Sequence, residues 1–124
     1  MKDLNILAQE LENGTTTSQK LVEESLAKIQ ETSSLNAFVS VLSERALGLA
    51  KESDKRRAEG KTKSKLDGIP VAVKDNLCLY GTKTTAGSQM LANFEAPYTA
   101  TALEKLEASG AVIVGKTNMD EFAM

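Results

Sequence analysis

The sequence predicts an α/β fold in which N-terminal helices are followed by a βαβ unit with parallel strands. Three observations carry this. Residues 69–73 (Ile-Pro-Val-Ala-Val) and 111–114 (Ala-Val-Ile-Val) are short, continuous apolar runs rich in β-branched residues, the pattern of strands buried on both faces. Between them Ala102, Leu103 and Leu106 supply one apolar face of a helix. Strand, crossover helix, strand implies parallel strands joined by a right-handed connection. In residues 1–65 the apolar positions recur mainly at helical spacing, so that half reads as mainly helical and residues 66–124 as the start of a sheet.

Each element has its own signals. Leu4, Leu7 and Leu11 share a face of a first helix, which Asn13-Gly14 stops. Thr16 and Gln19 form a T-x-x-Q capping pattern, and Val22, Leu26 and Ile29 extend a second helix over about residues 17–31. After Ser33-Ser34, residues 37–42 are β-prone, and Ala46, Leu49 and Ala50 open a third helix that ends near Gly60. Its charged tail and the following residues (51–65) mix acidic with basic side chains, which reads as a solvated helix end and linker. Asp67-Gly68 is a turn, and Pro70 must start its strand, where a missing N–H matters least. Residues 74–98 are loop-like, with a packed or turn-forming Met90-Leu91. Thr99 offers an N-cap and Gly110 a C-cap for the helix between the strands.

Length, composition and charge narrow the possibilities. The 124 residues and 13.3 kDa fit one domain or a piece of one. A hydrophobic fraction of 41% with 26% charged residues excludes disorder of the whole chain. The net charge of −2 offers no positive field for a polyphosphate. With no histidine, a Ser-His-Asp site within the chain is excluded and the usual zinc ligand is missing, so no metal site is expected. The single cysteine forms no internal disulfide, the N-terminus lacks the basic-then-apolar run of a signal peptide, and no apolar run nears the ~20 residues that span a bilayer. A cytoplasmic protein without a membrane partner is the simplest expectation. Two apolar parallel strands are too few for a stable sheet, and residues 118–124 end in an apolar stretch, so a fragment of a larger domain is expected.

Chemistry is expected where the strands of an open α/β sheet end. The first strand delivers Lys74-Asp75-Asn76 to that rim, and the second delivers Gly115-Lys116-Thr117-Asn118. Lys74 follows an apolar run, so its stem starts inside the sheet; a desolvated lysine favours the neutral amine and can act as a general base beside a serine. The plainer alternative is a lysine that reaches into water and does nothing. Gly110, Gly115, Lys116 and Thr117 satisfy G-x-x-x-x-G-K-T, but the four residues between the glycines favour a strand over an anion nest. Gly115 then reads as a strand-end turn. Residues 81–88 read as a flexible loop rather than a nucleophile elbow at Ser88, and Cys78, between two leucines, as a buried inert thiol.

Three strings, Leu66-Asp67-Gly68-Ile69-Pro70-Val71-Ala72-Val73-Lys74-Asp75-Asn76, then Thr84-Thr85-Ala86-Gly87-Ser88, then Gly115-Lys116-Thr117-Asn118-Met119-Asp120-Glu121-Phe122-Ala123-Met124, resemble the amidase signature family in order and spacing. The last is most similar to the branch of that family that serves tRNA-dependent amidotransferases. The resemblance implies residues 1–124 as the N-terminal fragment of one larger amidase domain, and a site built from a lysine and two serines, one in a cis peptide. Lys74 matches the family lysine. Both serines lie downstream of residue 124 in the family pattern, so the chain alone is expected to be inactive. Asn76 is implied as a loop-fixing residue behind the site and Met124 as part of the glutamine pocket. The implied reaction is hydrolysis of glutamine to supply ammonia. The implied partners are the other components of the amidotransferase complex and, through them, aminoacyl-tRNA; ATP and magnesium belong to the parent complex and no cofactor to this chain. A general amidase of the same family, or a truncated non-catalytic interaction module, are the alternatives.

Overall fold

A computed structural model describes residues 3–124. Helix α1 (Leu4–Glu12) is capped by the Asp3 carboxylate, which accepts the Asn5 N–H. It ends at Asn13, where Gly14 takes a left-handed conformation. Helix α2 (Ser18–Glu31) starts one residue later than the T-x-x-Q pattern suggests. Its N-cap is Thr17, whose hydroxyl accepts the Lys20 N–H at 3.2 Å, and the Ser18 and Gln19 N–H groups donate to the Asp54 carboxylate at 2.7 and 3.0 Å. A carboxylate 36 residues from Ser18 thus takes the Gln19 N–H that the local pattern assigned to a capping box, and the Ser18 N–H besides.

Strand β1 (Phe38–Val41), helix α3 (Ser43–Ala58), strand β2 (Pro70–Lys74), helix α4 (Thr101–Ala108) and strand β3 (Val112–Thr117) follow. Among the described residues the sheet order is β1-β3-β2, with β2 parallel and β1 antiparallel to β3. The parallel pair is the expected βαβ unit, Pro70 starts its strand as anticipated, and the β-prone residues near 38 supply a third strand. Only β3 is buried on both faces. Ala72 and Lys74 of β2 are exposed, because β2 is an edge in this chain and its alternate positions have no covering layer. The expectation of two doubly buried strands is corrected to one.

The core lies on both sides of β3. Val112 and Val114 pack with Val22, Ala46 and Ala50 from α2 and α3, while Ile113 packs with Val73, Leu79 and Leu103 on the α4 side. Leu11, Leu21 and Ile69 join α1 to this body. The helix between the strands starts later than expected, with Ala100 as N-cap. Thr99 instead accepts the Tyr80 N–H at 3.0 Å, and Ala102 is exposed, leaving the buried face to Leu103 and the half-buried Leu106. Gly110 does close α4, at φ +92°, with its N–H bonded to Glu107 O.

Two further expectations change. Gly115 is a paired strand residue, not a turn. Its missing Cβ lets β1 approach, since an added one would lie 2.7 Å from Ser40 O and 2.8 Å from Phe38 Cδ1. The charged stretch after α3 is not merely solvated. Arg56 donates from Nε and Nη2 to Asp67 at 3.2 and 2.7 Å, Ser53 Oγ donates to it at 2.8 Å, and Lys63 N–H at 2.9 Å. Asp67 is fully buried there, and Arg57 donates to its carbonyl. Burial pushes the Asp67 carboxyl upward, but hydrogen bonds from Arg56, Lys63 N–H and Ser53 outweigh it and hold the group below the usual carboxylate range. Hydrogen bonding to Asp67 in turn raises the Arg56 guanidinium.

Candidate functional site at the sheet rim

The two polar clusters meet at one rim, as the parallel topology requires. Lys74 stands opposite Thr117 in register, and the Asp75 N–H donates to Thr117 O at 3.1 Å. The buried lysine of the rim is Lys116, not Lys74. Lys74 is exposed, as the plainer alternative has it rather than the desolvated reading, and its ammonium has no hydrogen bond or ion pair among the described residues. Lys116 is fully buried. Its Nζ donates to Lys83 O at 3.1 Å and Thr84 Oγ1 at 3.0 Å, and lies 3.2 Å from Asp75 Oδ1. Two hydrogen bonds and one ion pair thus occupy the buried ammonium.

A β-bulge explains the burial of Lys116. Register slips between β2 and β3 so that Val71 pairs with Ile113 but Ala72 with Gly115, leaving Val114 as the extra residue. An extra residue inverts the alternation beyond it. Lys116 therefore pairs with Val73 on the α4 side of the sheet, whereas unbroken alternation would send it with Val112 and Val114 into the apolar core beneath α2 and α3. Lys74, paired with Thr117, lies on the opposite face from Lys116.

Asp75, also fully buried, is the hub of the rim. Oδ2 accepts the Thr85 N–H at 3.0 Å and the Thr85 hydroxyl in a short hydrogen bond, and the Asp75 carbonyl accepts the Ala86 N–H at 3.1 Å. Oδ1 receives no hydrogen bond among the described residues and is paired by charge with Lys116. Thr84, Thr85 and Ser88 are buried, so residues 81–88 form a pinned loop rather than a flexible one. Ser88 Oγ accepts the Met90 N–H and donates to Glu121 Oε1 at 2.7 Å. It caps the short turn Gln89–Leu91, where Met90 is exposed, and its hydroxyl ties the loop to the Glu121 segment rather than standing at a strand-to-helix elbow.

The remaining candidates fall around this hub. Asn76 is exposed with no side-chain hydrogen bond among the described residues, so the loop is held by Asp75. Met124 is 96% exposed, at the end of a segment tied to the loop by Phe122 N–H to Ala86 O at 2.8 Å and by the Ser88–Glu121 bond. Cys78 is half-buried rather than buried. The G-x-x-x-x-G-K-T run is extended through β3 and its lysine is occupied internally, so it forms no phosphate cradle. Asp75 and Lys116 were each visible in the sequence as rim residues. Their pairing was not, because it depends on the bulge.

The comparisons with known proteins agree with this geometry. The sequence matches the Amidase family over residues 20–124. It is 57% identical over 99 residues to the A subunit of the mitochondrial glutamyl-tRNA(Gln) amidotransferase of Ixodes scapularis, covering 80% of this chain and 20% of that protein. It is 56% identical over 109 residues to the A subunit of the glutamyl-tRNA(Gln) amidotransferase of Anaeromyxobacter dehalogenans, covering 87% and 22%. The native peptide amidase of Stenotrophomonas maltophilia superposes with a TM-score of 0.92 at 32% identity, over 98% of this chain and 25% of that one. The chain thus spans about a fifth of the length of these two sequence relatives. With a family match over residues 20–124 and a superposition that covers nearly the whole chain, the chain belongs to the amidase signature family.

Proposed function

We propose that this chain is the lysine-bearing N-terminal part of the glutaminase component of a tRNA-dependent amidotransferase. The observation that carries the reading is Lys74: it ends a strand within the family's motif, is exposed at the rim, and has no partner among the described residues. Its buried neighbours are occupied with each other and free it from any structural task. The relatives that are amidotransferase A subunits by name favour this branch over a general amidase.

In this reading the unprotonated Lys74 amine takes a proton, through a bridging serine, from a second serine, which attacks the side-chain amide carbon of glutamine. The collapsing intermediate breaks the C–N bond, the proton passes to the leaving nitrogen, and ammonia departs. Water then hydrolyses the acyl-serine to glutamate. Both serines and the oxyanion donors are contributed by residues beyond 124, and the 124-residue chain alone gives no turnover. Met124 borders the glutamine pocket, and Asn76 lies behind Lys74. ATP and magnesium act on a partner protein that amidates the aminoacyl-tRNA with this ammonia; residues 110–117 do not fit a nucleotide, and no step in this chain is routed through one. The proposal keeps a cytoplasmic location for the complex; among the described residues no helix is long and apolar enough to cross a membrane.

The test is ammonia release by the full-length polypeptide carrying this sequence, co-expressed with its partner proteins. Efficient hydrolysis of glutamine, with simple and peptide C-terminal amides at least 100-fold poorer in kcat/KM, is expected. Broad amide hydrolysis without that preference would favour the general amidase, and no hydrolysis of any amide the non-catalytic module.

A further inference from the structure

We propose that Asp75 and Lys116 are positioning residues for Lys74, forming a buried ion pair whose integrity sets turnover rather than substrate affinity. The inference rests on the reading of Lys74 given above. Asp75 directly follows Lys74, and every polar group it carries is committed: its N–H to Thr117 O, its carbonyl to the Ala86 N–H, Oδ2 to Thr85 and Oδ1 to the Lys116 charge. Lys74 itself has only its backbone to hold it, through pairing with Thr117 and its carbonyl's acceptance of the Leu77 N–H at 3.0 Å. The position of the Lys74 backbone is therefore dictated by the residue after it.

Lys116 closes the arrangement from the neighbouring strand. By bonding Lys83 O and Thr84 Oγ1 while pairing with Asp75, it ties the loop, β2 and β3 into one buried unit. Both charged groups are fully buried, so neither can exchange its partner for water without opening the rim. A lone charge in that place would be far costlier than the pair, which is why loss of either member must displace the loop, the strand end or both. The pair faces the α4 side and Lys74 the other, so the pair touches no reacting atom; it acts through the backbone that joins residues 74 and 75. Displacements of about 1 Å at a reacting group reduce rates by up to about 100-fold.

The test uses the full-length polypeptide with its partner proteins and measures glutamine hydrolysis per folded molecule, with folded fraction read by circular dichroism at the assay temperature. Asp75→Asn keeps the side-chain shape and both Thr85 hydrogen bonds while removing the charge; Lys116→Met removes the other charge. Each is expected to lower kcat about 10- to 100-fold with KM within threefold. The double variant is expected to be no slower than the slower single one, because the two act as one unit. Should Lys116→Met fail to fold, Asp75→Asn alone decides. Turnover per folded molecule equal to wild type in Asp75→Asn, with Lys74→Ala inactive, would overturn the positioning role and leave the function standing. Full activity of Lys74→Ala would overturn the function itself.

Discussion

Two buried aspartates in this molecule do different work with the same chemistry. Asp67 lies where the turn before β2 meets α3, and Asp75 lies at the other end of that strand; both are fully buried and both face a basic side chain. Asp67 draws donors from Ser53, Arg56 and Lys63, with the Arg57 guanidinium on its carbonyl, and clamps α3 to the sheet. Its partner Arg56 remains partly exposed. Asp75 and Lys116 are both closed off from water, and the loop they hold is tied in turn to the segment that ends at Met124. What differs between the two pairs is what lies next to them in the chain, a turn beside Asp67 and Lys74 beside Asp75, and on the proposed reading that neighbour sets each pair's role.

The largest effect expected is at Lys74 itself. Lys74→Ala in the full-length polypeptide should reduce glutamine hydrolysis about 10³-fold while leaving the melting temperature nearly unchanged, since the side chain has no partner among the described residues. Asp67→Asn should do the reverse, costing about 3 kcal/mol of stability, measured by denaturant unfolding, with turnover per folded molecule intact. The Asp67 carboxyl is held below its ordinary range in the fold, so its contribution is fully present above about pH 4 and is lost as pH falls through its lowered value. Asp67→Asn should flatten the acid side of the stability profile; an unchanged profile would mean that another carboxylate controls it. A smaller loss, about 1 kcal/mol by the same unfolding measurement, is expected for Thr17→Ala at the N-cap of α2. The Asp54 carboxylate shares that cap, so a loss much above this would mean that Asp54 contributes little.

The sequence was legible where local chemistry decides. The apolar runs at 69–73 and 111–114, the Gly110 stop and the strand-starting Pro70 all gave their elements, because burial and backbone restriction act at those residues themselves. What stayed hidden depends on partners far along the chain. Asp54 caps a helix 36 residues earlier, and Thr99 serves the Tyr80 N–H rather than its own helix. In the candidate site, Lys74 was legible as a rim lysine, while spacing alone left burial and exposure both open; its exposure follows from β2 being an edge. Lys116 was legible as a rim residue and as the lysine of a poor phosphate motif, but not as a partner of Asp75; a single extra residue at Val114 turns it that way, and nothing in the run of β-branched residues marks a bulge.

The central claim, that Asp75 serves turnover where Asp67 serves stability, is tested most directly by plotting glutamine turnover per folded molecule against melting temperature for Asp67→Asn and Asp75→Asn in the same full-length complex. The account predicts that Asp67→Asn falls along the temperature axis at wild-type turnover, while Asp75→Asn lies at least tenfold below it in turnover at a temperature where both are folded. Both variants falling on one line, with turnover tracking stability alone, would contradict it.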